Sequence, residues 1–216
     1  MGGRKLPEEE RRAEILRAAY AVAAREGLAG VTARAVAAEA GVSSGLVFFH
    51  FGEKDALLAA LLDWLLASTL VAGELPTAAL LASMPADATA SERMLAVVRR
   101  DLLALRRARA RVELFFAYWV LGTHDPVIRQ TIRAALARYR ASFLPLAEAV
   151  VAEAPWRWGP DGAAGLASVA ASFVEGNALR AVHDPSGFDA DRAMAALVTL
   201  LRTPGSTPVS TFPDAP

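Results

Sequence analysis

Ser44, Gly45, Phe48 and Phe49, flanked by Leu46 and His50, share one arc of a short segment whose other positions include Val47 and Phe51. Those two apolar residues are four apart, so on a helix they face one way and leave the arc on the other side. The chemistry open to such an arc is recognition rather than catalysis. Small residues at a helix start permit close approach to a surface, and the unpaired N–H groups of a helix N-terminus suit phosphate oxygens. Groups for covalent or acid–base chemistry are scarce. Cysteine is absent, and the three histidines are His50, His124 and His183. They stand without a GxSxG elbow, a phosphate loop or zinc-ligand spacing. His183 and Asp184 are adjacent, which does not bring two helical side chains to one face, and His124-Asp125 fits a helix-capping corner. No catalytic residue, metal or cofactor is expected.

The elements that must position the arc are helical. Alanine and leucine dominate, 54 % of residues are hydrophobic and 21 % charged, and no strand-like alternation stands out. That composition predicts a folded all-α chain. A first helix spans about Pro7 to Arg25, with Ile15, Ala19, Val22 and Ala23 on one face and Gly27 ending it. Thr32 caps a second, short helix to about Ala40 that buries Val36, Ala37 and Ala40. Gly41-Val42-Ser43 is the break: glycine takes positive φ, Val42 points inward and Ser43 caps a third helix over Ser44 to His50. Two short helices joined in this way let the second lie in the major groove of double-stranded DNA while the first braces it.

A long helix follows over 54–71. Further helices are predicted at about 76–84, 90–107, 110–121, 126–153, 161–183 and 189–202, with Pro145 kinking or splitting the 126–153 segment. Residues 203–216, rich in proline, serine and threonine, read as a disordered tail. The greasiest stretch, Ala56 to Gly73, carries Asp63 and spaces its leucines as a packed helix does, so no membrane span is expected. The missing cysteine and the Glu8-Glu9-Glu10 run, in place of an apolar signal core, imply a cytoplasmic chain. Charge gives no help: 23 basic residues balance 23 acidic ones, and residues 1–55 hold eight of each. Pattern, not charge, points to DNA.

Residues 12–62 closely resemble the DNA-binding domain of the TetR family of bacterial regulators. The match runs through Val31-Thr32, Val36-Ala37, Ala40-Gly41-Val42-Ser43, Gly45, Phe51, Lys54 and Leu57-Leu58. The resemblance implies a three-helix helix-turn-helix DNA-binding domain at 8–52 and a helical ligand-binding and dimerisation domain at 53–202, joined by helix 54–71. It implies a homodimer that binds operator DNA and is a repressor released by a small-molecule effector. Carried over by position, Thr32, Arg34 and Lys54 would touch phosphate. Ser43, Ser44, Gly45 and Leu46 would meet the groove, Leu46 against a thymine methyl, and Phe49 and His50 fall where aromatic or histidine contacts occur. Three departures bear on affinity. Phe48 stands where the family has a phosphate-binding tyrosine, Glu53 where a Ser or Asn cap is common, and Ala35 where a glutamate would complete a capping box with Thr32. The alternative is a helical dimeric interaction protein that has lost DNA binding.

The C-terminal half offers a partner surface and a pocket. Ala167, Ala171, Val174 and Ala178 form a small-residue stripe, and Ile132 and Tyr139 lie along one side of the preceding long segment. By order and length these two segments match the family's paired dimer helices, although both stripes also suit an intramolecular core. Residues 112–121 are apolar nearly all round, which predicts a buried helix. Phe116 and Trp119 on it, with Trp64, Met94, Phe143 and Phe173, would line a ligand cavity or fill the core. Glu113 pairs with Arg109 in the simpler reading, or joins Asn177 in the cavity, where an acid among aromatics would favour a cationic ligand. Residues 175–185 bear a looser likeness to the choline-sensing branch of the family.

Overall fold

The computed structural model describes residues 7–67 and 77–202. The predicted tail at 203–216 and the end of the 54–71 helix lie outside them. The described residues divide into two compact units, 7–67 with 108–135, and 77–107 with 136–202. All regular elements among them are helical, and no described helix is long and apolar enough to cross a membrane.

The first unit begins with α1 (Glu8–Gly30), whose acidic first turn complements the positive end of the helix dipole. Helical geometry breaks at Gly27 (φ 74°, ψ 177°), two residues beyond the predicted end at Arg25, and then resumes for one turn to Gly30. A side chain at Gly27 would be strained by that positive φ. Ile15, Ala19 and Val22 are fully buried, and α2 (Ala33–Ala40), α4 (Lys54–Ala67) and α7 (Arg109–Gly122) pack on α1. In α4 the burial of Leu57, Leu58, Leu61, Leu62, Leu65 and Leu66 makes a broad apolar face. Tyr118 of α7 is completely buried, and its hydroxyl donates to the Leu58 carbonyl at 2.8 Å. The expectation that α7 is buried all round is corrected. One side, with Leu114 and Tyr118, packs on α1 and α4, whereas Trp119 and Val120 are 46 % and 65 % exposed.

In the second unit α6 (Ala90–Arg107) lies against α5 (Thr77–Ala82), α9 (Leu144–Glu153), α10 (Gly162–His183) and α11 (Ala190–Arg202). The predicted 126–153 helix is split. α8 (Pro126–Ser142) ends before Phe143, and Pro145 sits in the first turn of α9, where its missing N–H costs nothing. The N-terminus of α6 is held by α9 through Ala90 N–H donating to Glu153 Oε1 at 2.7 Å.

A buried carboxylate ties this unit together. Asp101 is 2 % exposed and accepts from Arg100 Nε at 2.9 Å and from the Tyr139 hydroxyl of α8 at 2.9 Å. Burial pushes the Asp101 carboxyl above its usual range, and the charge and hydrogen bonds of Arg100 and the bond from Tyr139 draw it back. Tyr139→Phe removes one donor from a buried charge, so the variant should lose about 2 kcal/mol of stability in urea denaturation followed by circular dichroism. A loss under about 0.5 kcal/mol would contradict the assigned bond.

Candidate nucleic-acid interface

The interface is built on α2 and α3 (Ser44–Phe51). The Thr32 side chain caps α2 by accepting from Ala35 N–H at 3.1 Å, with no carboxylate at position 35 to return the bond. Gly41, at φ 65° and ψ 32°, closes α2 with its own N–H and that of Val42 donating to the Ala38 and Ala37 carbonyls. The Ser43 side chain then caps α3 by accepting from Leu46 N–H at 3.2 Å. Val47 and Phe51 are buried, at 1 % and 6 % exposure, as their spacing predicts. Val42 and Ala40 are only half-buried, because both lie at the helix junction rather than over the core.

The opposite arc is open. Phe49 is 77 % exposed and Phe48 55 %, Gly45 is exposed, and Ser44, Leu46 and His50 are half-buried. The His50 ring meets Phe49 edge-on at 5.2 Å, so the two rings form one aromatic end to the arc. Thr32, Arg34 and Ser43 are exposed beside it. Lys54 is exposed too, but its ammonium already donates to the Ala29 carbonyl at 3.1 Å, leaving two N–H groups for other acceptors. That bond fastens the start of α4 to the end of α1.

Sequence reasoning missed Arg12. Its guanidinium donates to the His50 carbonyl at 2.7 Å and lies 4.2 Å from the centre of the Phe51 ring. A cation at the C-terminal end of α3 opposes the negative end of its dipole and satisfies one of its unpaired carbonyls. The 38-residue separation leaves no periodic signal that would reveal the pairing.

The residues expected to form a pocket are divided between the two units. Trp64 is half-buried against Tyr20, with ring centres 5.5 Å apart, and Glu113 is exposed and paired with Arg109 at 2.7 Å. Phe116 is half-buried, and Phe115 lies edge-on to both it and Trp119. Met94 and Phe143 are buried in the second unit, Phe143 edge-on to Tyr139. There Asn177 donates to the carbonyl of half-buried Phe173 at 2.8 Å, a bond within α10. The predicted dimer stripe is corrected as well. Ile132, Tyr139, Ala167, Ala171 and Val174 are each 6 % exposed or less, and Ala178 is half-buried, so the stripe serves the chain's own core. The open face of α10 carries Gly165, Val169, Ser172, Gly176 and Leu179 instead.

Comparison with known proteins gives this geometry its context. Residues 15–61 match the family described as bacterial regulatory proteins, tetR family, and residues 90–203 match the BetI-type transcriptional repressor, C-terminal family. The chain belongs to the TetR family. It is a transcriptional regulator of that family, with a helix-turn-helix DNA-binding domain followed by a helical C-terminal domain. The BetI regulator of Vibrio atlanticus is 27 % identical over 87 % of this chain and 88 % of its own. The transcriptional repressor Rv3405c of Mycobacterium tuberculosis is 48 % identical over 64 residues, 29 % of this chain and 34 % of its own. A Saccharomonospora viridis regulator solved in complex with choline has a similar fold, with a TM-score of 0.68 and 23 % identity over 91 % of this chain and 97 % of that one.

If Arg12 positions α3, Arg12→Ala should speed amide exchange over Val47–Gly52 about threefold to tenfold, the weight of one exposed charge-assisted bond. Hydrogen exchange by mass spectrometry reads this, and Arg12→Lys should recover part of it. Unchanged exchange in the alanine variant would remove the positioning role.

Proposed function

We propose that this TetR-family chain is a ligand-responsive repressor, binding operator DNA as a homodimer and released by a small-molecule effector. The observation that carries the DNA-binding part is the arc of α3 left open opposite Val47 and Phe51. In this reading Ser43, Ser44, Gly45, Leu46, Phe48, Phe49 and His50 meet the major groove, and Thr32, Arg34 and Lys54 bond flanking phosphates. Phe48 and Phe49 supply apolar contact to thymine methyl groups. Without a hydroxyl at 48 and with Glu53 close by, backbone anchoring rests on few donors.

Residues 8–52 act as the DNA-binding domain and 53–202 as the ligand-binding and dimerisation domain. Two heads must sit about 34–36 Å apart to read successive half-sites, so a dimer is required. The exposed Val169 and Leu179, with Gly165, Ser172 and Gly176 between and beside them, make α10 the proposed contact between copies. Release is a population shift: an effector favouring another tilt of α4 moves the recognition helices off groove spacing. Lys54 at one end of α4 and Trp64 farther along, packed on Tyr20, make that helix the lever. A second reading, an interaction protein using Phe48 and Phe49 against another protein, draws on their exposure and on the balanced charge of residues 1–55.

Two measurements test the proposal. Ser44→Ala with Phe49→Ala should weaken binding to the DNA upstream of the chain's own operon more than about tenfold, as loss of two base contacts implies. Unchanged affinity would reject α3 as the reading helix and favour the second reading. In light scattering at micromolar concentration the wild type should be a dimer and Val169→Glu with Leu179→Arg a monomer. A monomeric wild type would end the dimer proposal.

A further inference from the structure

One concentration of basic residues in the sequence runs from α6 into the start of α7. Six arginines, at 99, 100, 106, 107, 109 and 111, fall within 13 residues beside a single acid, Asp101. Three of them, Arg99, Arg100 and Arg107, line a groove of about 370 Å³ whose remaining walls are Leu80 of α5 and Ala96, Leu103 and Ala104 of α6. All four apolar residues are only half-buried, so their surface is left partly unspent by the fold. No α5 residue is buried, and the helix is held over α6 by polar bonds. Arg100 Nη1 donates to Thr77 Oγ1 at 2.9 Å, and the Arg93 guanidinium reaches the carbonyls of Leu81, Pro85, Ala86 and Ala88.

The charges around the groove do not cancel. Arg100 faces buried Asp101 at 2.8 Å, and Arg99 faces Asp191 at 3.1 Å. Arg107 is exposed and forms no ion pair with any described residue. Three guanidiniums against two carboxylates leave one positive charge beside an apolar floor. The volume falls at the small end of the ~300–1,000 Å³ range of small-molecule sites. Guanidinium and carboxylate or sulfonate are matched donors and acceptors.

We propose that the α5–α6 groove is a binding site for an anionic amphiphile, a compact apolar body carrying one carboxylate or sulfonate that pairs with Arg107. None of the residues expected from sequence to form a pocket lines it. The apolar body lies between Leu80 and the Ala96, Leu103 and Ala104 face, and the anion sits at the Arg107 end.

The test uses two fluorescent probes with the full chain, 8-anilinonaphthalene-1-sulfonate and N-phenyl-1-naphthylamine, which share an apolar body and differ in the sulfonate. The sulfonate probe should bind saturably at one site per chain, at least about fivefold tighter than the neutral one. Arg107→Gln, at an exposed position, should weaken the sulfonate probe about fivefold to tenfold and leave the neutral probe unchanged. Ala104→Trp fills the groove and should weaken both. Val120→Ser, in the exposed apolar patch of α7, should change neither. Equal binding of the two probes, or a sulfonate affinity that Arg107→Gln leaves intact, would overturn the proposal. Sensitivity to Val120→Ser alone would overturn it too, by placing the dye on the α7 patch.

Discussion

Burial of Val47 and Phe51 beneath an eight-residue helix is the constraint on which the proposed DNA-contacting surface depends. A helix of two turns has little stability of its own, since nucleation consumes most of what its hydrogen bonds return. α3 therefore exists as a rigid element only through what holds it from outside. Two apolar anchors fix its rotation, the Ser43 side chain fixes its start, and Arg12 on α1 fixes its end by bonding the His50 carbonyl. Together they determine which residues face outward. A rotation of about 100°, one residue on a helix, would turn Phe48 inward and Val47 outward, and the proposed recognition surface would be lost.

Much of this arrangement was legible in the sequence, because local signals set it. Thr32, Gly41 and Ser43 announce the boundaries of α2 and α3 through capping and positive φ, and both side-chain caps form as those residue types predict. Pro145 likewise announces the break between α8 and α9. The features that escaped are those set by distant partners. Nothing local to Arg12 signals a partner until the fold brings His50 beside it. Asp101 carries no local signal of burial in its Arg-Arg-Asp run, yet it is buried against Tyr139 of another helix.

The two misplaced faces have a common physical origin. An alanine-rich stripe packs equally well against a helix of the same chain or of a second copy, so periodicity cannot separate the two. In this fold Ala167, Ala171 and Val174 turn inward, and Val169 and Leu179 are left outside. The all-apolar run at 112–121 misleads in the same way. α1 and α4 cover one side of α7, leaving Trp119 and Val120 open. Glu113 did not need a ligand to satisfy it, because Arg109 lies one helical turn away.

Net neutrality shapes how such a regulator would engage DNA. On the proposed reading, few phosphate donors around α3 make electrostatic binding modest and give the groove-facing residues a larger share of affinity. Each phosphate neutralised contributes about −0.9 to the slope of log affinity against log salt, so the slope should be shallow. The most direct test of the central claim compares hydrogen exchange of the free chain with that of the chain bound to a duplex from its own upstream region. The account predicts new protection at the amides of Ser43–Phe49 and Thr32–Arg34. Protection that spares Ser43–Phe49 and falls on other helices would contradict it.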